Sequence, residues 1–136
     1  MRLGSAGLTC VIAQRLPRRL CTACSVPDKH DADVFVRSGL EARSRKATYT
    51  VRRGVGCEEC GGSGYKGRVA IYEVLPVRGP VRDAIGGSSR ALREAAEATG
   101  MRTLRQDGLR LCLEGVTSVD EVERVTRTWE ETTPDA

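Results

Sequence analysis

Two Cys-x-x-Cys pairs, Cys21-Thr22-Ala23-Cys24 and Cys57-Glu58-Glu59-Cys60, stand 32 residues apart in this chain, and any fold it adopts must account for them. Two residues between ligands let one tight turn present both sulfurs to the same ion, and two such turns facing each other complete a tetrahedron. Gly61, directly after Cys60, suits a knuckle whose chain must turn left-handed; Ser25, in the matching place after Cys24, suits it less well. Cys21, Cys24, Cys57 and Cys60 are therefore the candidate metal ligands. Structural zinc is favoured, because closed sites of four paired cysteines mostly hold zinc. A rubredoxin-type iron site and disulfides are the alternatives.

The rest of the composition makes such a staple useful. Among 136 residues there are only five aromatics, Phe35, Tyr49, Tyr65, Tyr72 and Trp129, so Val, Leu and Ala must fill the core. Metal binding would add on the order of 10 kcal/mol to folding. No run approaches the ~18 apolar residues of a membrane-spanning helix. The opening residues are interrupted by Gly4, Ser5, Gly7 and Thr9 and offer no small-residue cleavage site, so export is not expected and the cysteines are read as those of a cytosolic chain. Lone Cys10 and Cys112 read as small buried apolar side chains. His30 lies among charges and reads as solvated rather than as a ligand.

Charge is uneven. Up to Tyr72 there are 13 Lys+Arg against 6 Asp+Glu; from Glu73 onward, 9 against 12. A basic half can face nucleic acid or acidic lipid. Equally, Arg18, Arg19, Arg52, Arg53, Lys66 and Arg68 can offset the charge near −2 of four thiolates on a divalent ion.

Periodicity predicts an α+β chain: a small tetracysteine zinc subdomain with a short hairpin or two-stranded sheet, then a C-terminal helical bundle. Residues 8–20 read as a helix, with Leu8, Ile12 and Leu16 at four-residue spacing and Pro17 kinking or ending it. Residues 28–40 read as a short helix with acids at its front and Gly39 near its end. Residues 41–47 are charged and loop-like. Residues 49–51 and 68–75 read as strands. Ser88 or Ser89 caps a helix running to Thr99, with Ala91, Leu92, Ala95 and Ala96 as its stripe. Thr103 and Gln106 fit a capping box for a helix carrying Leu104, Leu111 and Cys112 and stopping at Gly115. Ser118 and Glu121 fit another, for a helix with Val119, Val122, Val125 and Trp129. The divisions are 1–20, 21–77 (the metal subdomain), 78–129 (three to four helices) and 130–136 (a frayed tail).

Gly62-Ser63-Gly64-Tyr65-Lys66-Gly67 matches G-x-G-x-x-G, but a dinucleotide loop follows a strand and opens a helix. This one follows a cysteine pair and feeds a strand, and Arg68-Val69 stands where a P-loop has Lys-Ser/Thr. The glycines read as turn residues of the second knuckle.

With these residues in hand, the chain resembles the C-terminal end of the type II secretion and type IV pilus assembly ATPases, the GspE/PulE/PilB family. Three blocks carry the likeness. The first is Ala13-Gln14-Arg15-Leu16 with Arg18-Arg19-Leu20-Cys21 and Cys24. The second is Gly56-Cys57 through Cys60 with Gly62, Gly64-Tyr65, Gly67-Arg68 and Ile71-Tyr72-Glu73. The third is Gly100-Met101-Arg102-Thr103-Leu104 with Asp107-Gly108-Leu109, Gly115 and Thr117. The resemblance covers about residues 8–127. It implies a zinc-binding tetracysteine subdomain beside a hexameric motor that hydrolyses ATP with magnesium to drive secretion or pilus assembly. It also implies inner-membrane platform proteins and other ATPase subunits as partners, and a cytoplasmic location that allows peripheral association with the inner-membrane face. On that reading residues 1–20 are a remnant helix of the motor core. The Walker A and Walker B motifs would lie upstream of residue 1, so no catalytic or nucleotide-binding residue is assigned and ATPase activity is not expected of the chain alone. Pro17 departs from the aliphatic residue usual there. The chain reads as a truncated product, a misplaced start or a detached remnant.

The competing reading is a free-standing zinc ribbon that binds nucleic acid or a protein partner through its basic half. Against nucleic acid stands the lack of an aromatic platform. The Cys57-x-x-Cys60-x-Gly62-x-Gly64 run also resembles the cysteine-rich repeat of J-domain cochaperones, which the residues after Cys21 do not repeat. A disulfide-exchange enzyme lacks its βαβ context around either pair.

Overall fold

The structure is a computed structural model and describes residues 7–39 and 48–127. The described residues form six strands and five helices, an α+β arrangement. The strands are β1 (Cys10–Arg15), β2 (Arg18–Leu20), β3 (Ser25–Asp31), β4 (Thr48–Gly54), β5 (Tyr65–Arg68) and β6 (Ile71–Pro76). The helices are α1 (Asp33–Arg37), α2 (Pro80–Ala84), α3 (Ser89–Ala98), α4 (Leu104–Leu113) and α5 (Val119–Thr126), with one 3₁₀ turn at Glu58–Cys60. The loop at 41–47, Trp129 and the tail at 130–136, for which the sequence makes expectations, lie outside the described residues.

The strands pair in nested fashion. β1 lies antiparallel to β6, β2 to β5 and β3 to β4, each pair a separate two-stranded sheet. The first half of the chain thus runs out along three strands and returns along three.

Where four-residue spacing predicts a helix over residues 8–20, the structure has β1 and β2. Leu8, Ile12 and Leu16 are spaced by an even number, which puts them on one face of a strand as well as of a helix, so the pattern does not discriminate. Pairing decides. β1 is matched to β6 over its whole length, from Cys10 opposite Pro76 to Arg15 opposite Ile71, and this partner lies some sixty residues away in sequence. Pro17 falls between β1 and β2, where it has no ladder bond to lose, and its carbonyl accepts from the Val69 N–H at 3.0 Å. The strand predicted over 68–75 is likewise divided, its front belonging to β5 and its rear to β6. In the 28–40 stretch the helix starts late, at Asp33, because residues up to Asp31 extend β3 against β4.

The helices begin where their caps predict. Ser88 accepts from the Ala91 N–H, and Thr103 and Gln106 exchange both bonds of a capping box. The α3 stripe is thinner than expected: only Ala96 is fully buried and Ala91 is exposed. The main core lies elsewhere. Phe35 of α1 and Val51 of β4 pack with Leu109 and Cys112 of α4 and Val119 and Val122 of α5, with Tyr49 tilted against Phe35 at 4.9 Å between ring centroids. Each such side chain contributes roughly 1.5–3 kcal/mol on burial. The crossing of α4 and α5 is close at Gly108, where a Cβ would stand 2.6 Å from Val122 Cγ1. Among the described residues no helix is long and apolar enough to cross a membrane.

Candidate metal centre

Nesting of the strands explains why two distant cysteine pairs meet. The first pair lies between β2 and β3, and the second between β4 and β5. Because β2 pairs with β5 and β3 with β4, the two turns must face each other. The four sulfurs of Cys21, Cys24, Cys57 and Cys60 all lie within 4.8 Å of one another. Cys21 to Cys57 and Cys24 to Cys60 are each 3.8 Å, and Cys57 to Cys60 is 3.7 Å. Sulfurs at tetrahedral corners around an ion with bonds of about 2.3 Å stand about 3.8 Å apart, so the spacing fits a four-thiolate ion.

Backbone contacts set this spacing. Gly61 takes the left-handed conformation at φ 65°, and the Gly62 N–H returns to the Cys57 carbonyl at 2.8 Å. The N–H groups of Cys57 and Gly64 point at Cys60 Sγ, at 3.3 and 3.2 Å. Cys21 donates its N–H to the Gly64 carbonyl at 2.9 Å, fastening the first knuckle to the second. Between them Gly54 and Gly64 touch backbone to backbone: a Cβ on Gly54 would sit 2.2 Å from the Gly64 carbonyl oxygen. Ser25 needs no left-handed turn. It lies in β3, where Arg52 donates to its Oγ at 3.0 Å and its carbonyl at 2.7 Å.

Hydrogen bonding of this kind favours thiolate. Desolvation, which would raise the Cys60 pKa, is outweighed by the Cys57 and Gly64 N–H groups, and the thiol is drawn down to about 6. Cys24 is more enclosed, and burial pushes it up to about 11. A cation would have to be present for all four to ionise together, which is the chemistry of a metal site rather than of a nucleophile.

Four of the six cations expected to offset the sulfurs, Arg18, Arg52, Arg53 and Arg68, have other partners. Arg18 binds Glu121, Arg53 stands 4.0 Å from Asp28, and Arg68 donates to the Leu16 carbonyl. Among the described residues none of the six donates to a cysteine sulfur. The glycine loop behaves as a turn: Gly62, Gly64 and Gly67 all have φ near 80°, and the N–H groups of Gly62, Ser63 and Gly64 are consumed inside the knuckle. A phosphate would find no free cradle there.

Three further residues are informative. Cys112 is fully buried, as its apolar reading predicts, but Cys10 is exposed at the start of β1. Its neighbours made it look like a helix residue, and a strand turns it outward. His30 is half-buried in β3, with Nδ1 enclosed and unpartnered, and does not join the four cysteines.

Sequence reasoning missed the role of Glu121. Ser118 accepts from its N–H, but its carboxylate does not complete a capping box. At 2% exposure it accepts from the Arg18 N–H at 2.8 Å, from the Arg18 guanidinium at 2.7 and 3.1 Å, and from Arg124 at 2.9 and 3.0 Å. Arg18 also stacks over Tyr65 at 4.3 Å. The two guanidinium groups outweigh desolvation and hold the Glu121 carboxyl at about 2. Thr117 Oγ1 donates to the Arg18 carbonyl, and the Leu20 N–H donates to the Val116 carbonyl, so β2 is tied to α5 and its entry loop just before Cys21.

Comparison with known proteins agrees with this geometry. A family model described as "Type II/IV secretion system protein" matches residues 2–124. The chain is 47% identical over 121 residues to the type IV pilus assembly ATPase PilB of Thermus thermophilus, covering 87% of this chain and 13% of that protein. It is 39% identical to PilB of Myxococcus xanthus, covering 88% and 22% respectively. It is 37% identical to the type II secretion system protein E of Aeromonas hydrophila, covering 90% and 24%. The chain therefore spans only a minor part of the length of these relatives. A match over nearly the whole sequence, joined to the tetracysteine cluster and the capped helices, establishes that the chain belongs to the type II/IV secretion system protein family.

Proposed function

We propose that this protein is the zinc-bearing module of a secretion or pilus-assembly ATPase, in which Cys21, Cys24, Cys57 and Cys60 hold a structural Zn²⁺. The observation that carries this reading is the sulfur spacing of 3.7–3.8 Å set up by facing knuckles. The ion's part is to neutralise four thiolates and fix β2 and β5 against β3 and β4. The chain's part is to supply backbone donors to Cys60 and a rigid connection from Cys21 to α5. Chemistry on ATP and magnesium belongs to the motor of the family, and this chain contributes architecture to it rather than reacting groups. Its partners on this reading are other ATPase subunits and the platform proteins of a secretion or pilus system, on the cytoplasmic side of the inner membrane.

Elemental analysis of the purified chain tests the metal: one zinc per chain is expected, and cobalt substitution should give thiolate charge-transfer absorption. Metal-free protein whose circular dichroism ignores a chelator would overturn the assignment. Magnesium-dependent ATP turnover above background would overturn the assignment of a purely architectural role.

A further inference from the structure

The two knuckles are unequally enclosed. Cys21 is 1% exposed and Cys24 7%, whereas Cys57 and Cys60 are half-buried and bound a turn in which no residue is buried. Glu58, Glu59, Gly61, Gly62 and Ser63 around them are all exposed. A small molecule arriving from solvent therefore meets the sulfurs of Cys57 and Cys60 before those of Cys21 and Cys24.

The knuckles are also unequally fastened. The first is held by its surroundings: the Leu20 N–H donates to the Val116 carbonyl, the Val55 N–H donates to the Cys24 carbonyl, and Arg52 grips Ser25. The bonds of the second are mostly its own. The Gly61 N–H donates to the Glu58 carbonyl, the Gly62 N–H to the Cys57 carbonyl and the Ser63 hydroxyl to the Cys60 carbonyl. Gly61 and Gly62 have open space where a side chain would stand, so this turn can repack without displacing a neighbour. The Cys57 and Cys60 sulfurs are 3.7 Å apart. A disulfide needs about 2.05 Å, and an internal adjustment of the turn supplies the difference. Cys21–Cys57 and Cys24–Cys60, at 3.8 Å, are nearly as close, but each of those pairs includes a sulfur from the enclosed knuckle.

We propose that Cys57 and Cys60 are an oxidation site that controls retention of the metal: a hydroperoxide converts them to a disulfide, and the ion leaves. The inference rests on the zinc reading. Oxidation begins at thiolates that solvent reaches, and a second cysteine at hand resolves the sulfenic acid before it is oxidised further. One of the two sulfurs attacks a peroxide oxygen; the O–O bond breaks, one proton is taken up, and a sulfenic acid and water result. The other sulfur attacks the sulfenic sulfur; the S–S bond forms, the S–O bond breaks, and a second proton carries the oxygen away as water. Hydrogen peroxide is thus reduced to water while two thiolates are oxidised. Cys21 and Cys24 take a proton each as the ion departs, because two thiolates hold it far less tightly than four. Both remain reduced, and a thiol reductant restores the site.

The test uses the full chain carrying Cys10→Ser, which removes an exposed thiol outside the metal centre. Zinc content is measured first. A chain that holds no zinc and takes up none overturns the zinc reading and this proposal with it. The zinc-loaded chain is treated with hydrogen peroxide beside a chromogenic chelator, alkylated, and mapped by peptide mass spectrometry. The expected result is one zinc released per Cys57–Cys60 disulfide, at least about ten-fold faster than without peroxide, with Cys21 and Cys24 recovered as alkylated thiols. Dithiothreitol and added zinc should return the full metal content. Zinc retained as in the untreated control overturns this proposal alone and leaves the zinc reading standing. So does release accompanied by a Cys21–Cys57 or Cys24–Cys60 disulfide, or by sulfinic acid without a disulfide.

Discussion

The turn that carries Cys57 and Cys60 contains no fully buried residue, whereas α4 alone buries Asp107, Gly108, Leu109, Leu111 and Cys112. Around the cysteines, order comes from backbone meeting backbone at glycines and from sulfurs converging on one point. Around α4 and α5 it comes from side chains packed against Phe35 and Val51. The same substitution should therefore report on metal in one region and on packing in the other.

The largest effect is expected from Cys57→Ser with Cys60→Ser. Loss of the site removes on the order of 10 kcal/mol of metal-linked folding free energy. Amide spectra should show residues flanking the two knuckles losing dispersion first; uniform loss across both regions would dissolve the distinction. Next comes Gly54→Ala, whose Cβ would overlap the Gly64 carbonyl and push the knuckles apart. A cost of about 3 kcal/mol or more and weaker zinc retention against a chelator are expected. Gly108→Ala should cost roughly 1–3 kcal/mol in denaturant melts, from the clash with Val122, while zinc retention stays as in wild type. Adding Val122→Ala should recover part of the Gly108→Ala loss, because it removes the methyl groups in the way.

Glu121 sits on the boundary between the regions. Its carboxyl is held at about 2 against an ordinary 4.5, so its contribution is complete above pH 4.5 and disappears as pH falls through 2. Glu121→Gln should cost roughly 2 kcal/mol at pH 7, and the gap from wild type should narrow only within that acidic window. A gap that persists unchanged to pH 2 would mean that packing, not charge, is what Glu121 supplies. The smallest effect is expected at Cys10. Cys10→Ser should alter stability by less than about 0.5 kcal/mol. In the folded protein Cys10 should react with a thiol reagent while buried Cys112 does not, as mass spectrometry of the labelled chain can show.

Legibility in the sequence followed the range of the determinants. Helix starts at Ser88, Thr103 and Ser118 are written within four residues, and so is the left-handed turn at Gly61. The strand character of β1 depends on a partner in β6, and the even spacing of Leu8, Ile12 and Leu16 suits either conformation. The grouping of four cysteines could be read from spacing, but what holds the groups together could not. Gly54 and Gly64 are ten residues apart with nothing local to mark their contact. Glu121 fitted a local reading as the second half of a capping box with Ser118, which its carboxylate does not complete, and that reading concealed a partner, Arg18, 103 residues away. Arginines near cysteines in sequence were expected to balance them, yet in space Arg18 and Arg53 answer to carboxylates and Arg52 to Ser25.

The short strand β2 is a mechanical link between α5 and the cysteine knuckles. Its Arg18 is clamped to Glu121 and Thr117, its Leu20 to Val116, and the next residue is Cys21. At about 3.3 Å per residue, only ~10 Å of extended backbone separates a buried carboxylate from the first sulfur. An extended segment this short has almost no slack. A rotation imposed on α5 must reach the tetracysteine cluster as a displacement of Cys21, and a shift of the cluster must in turn pull on α5.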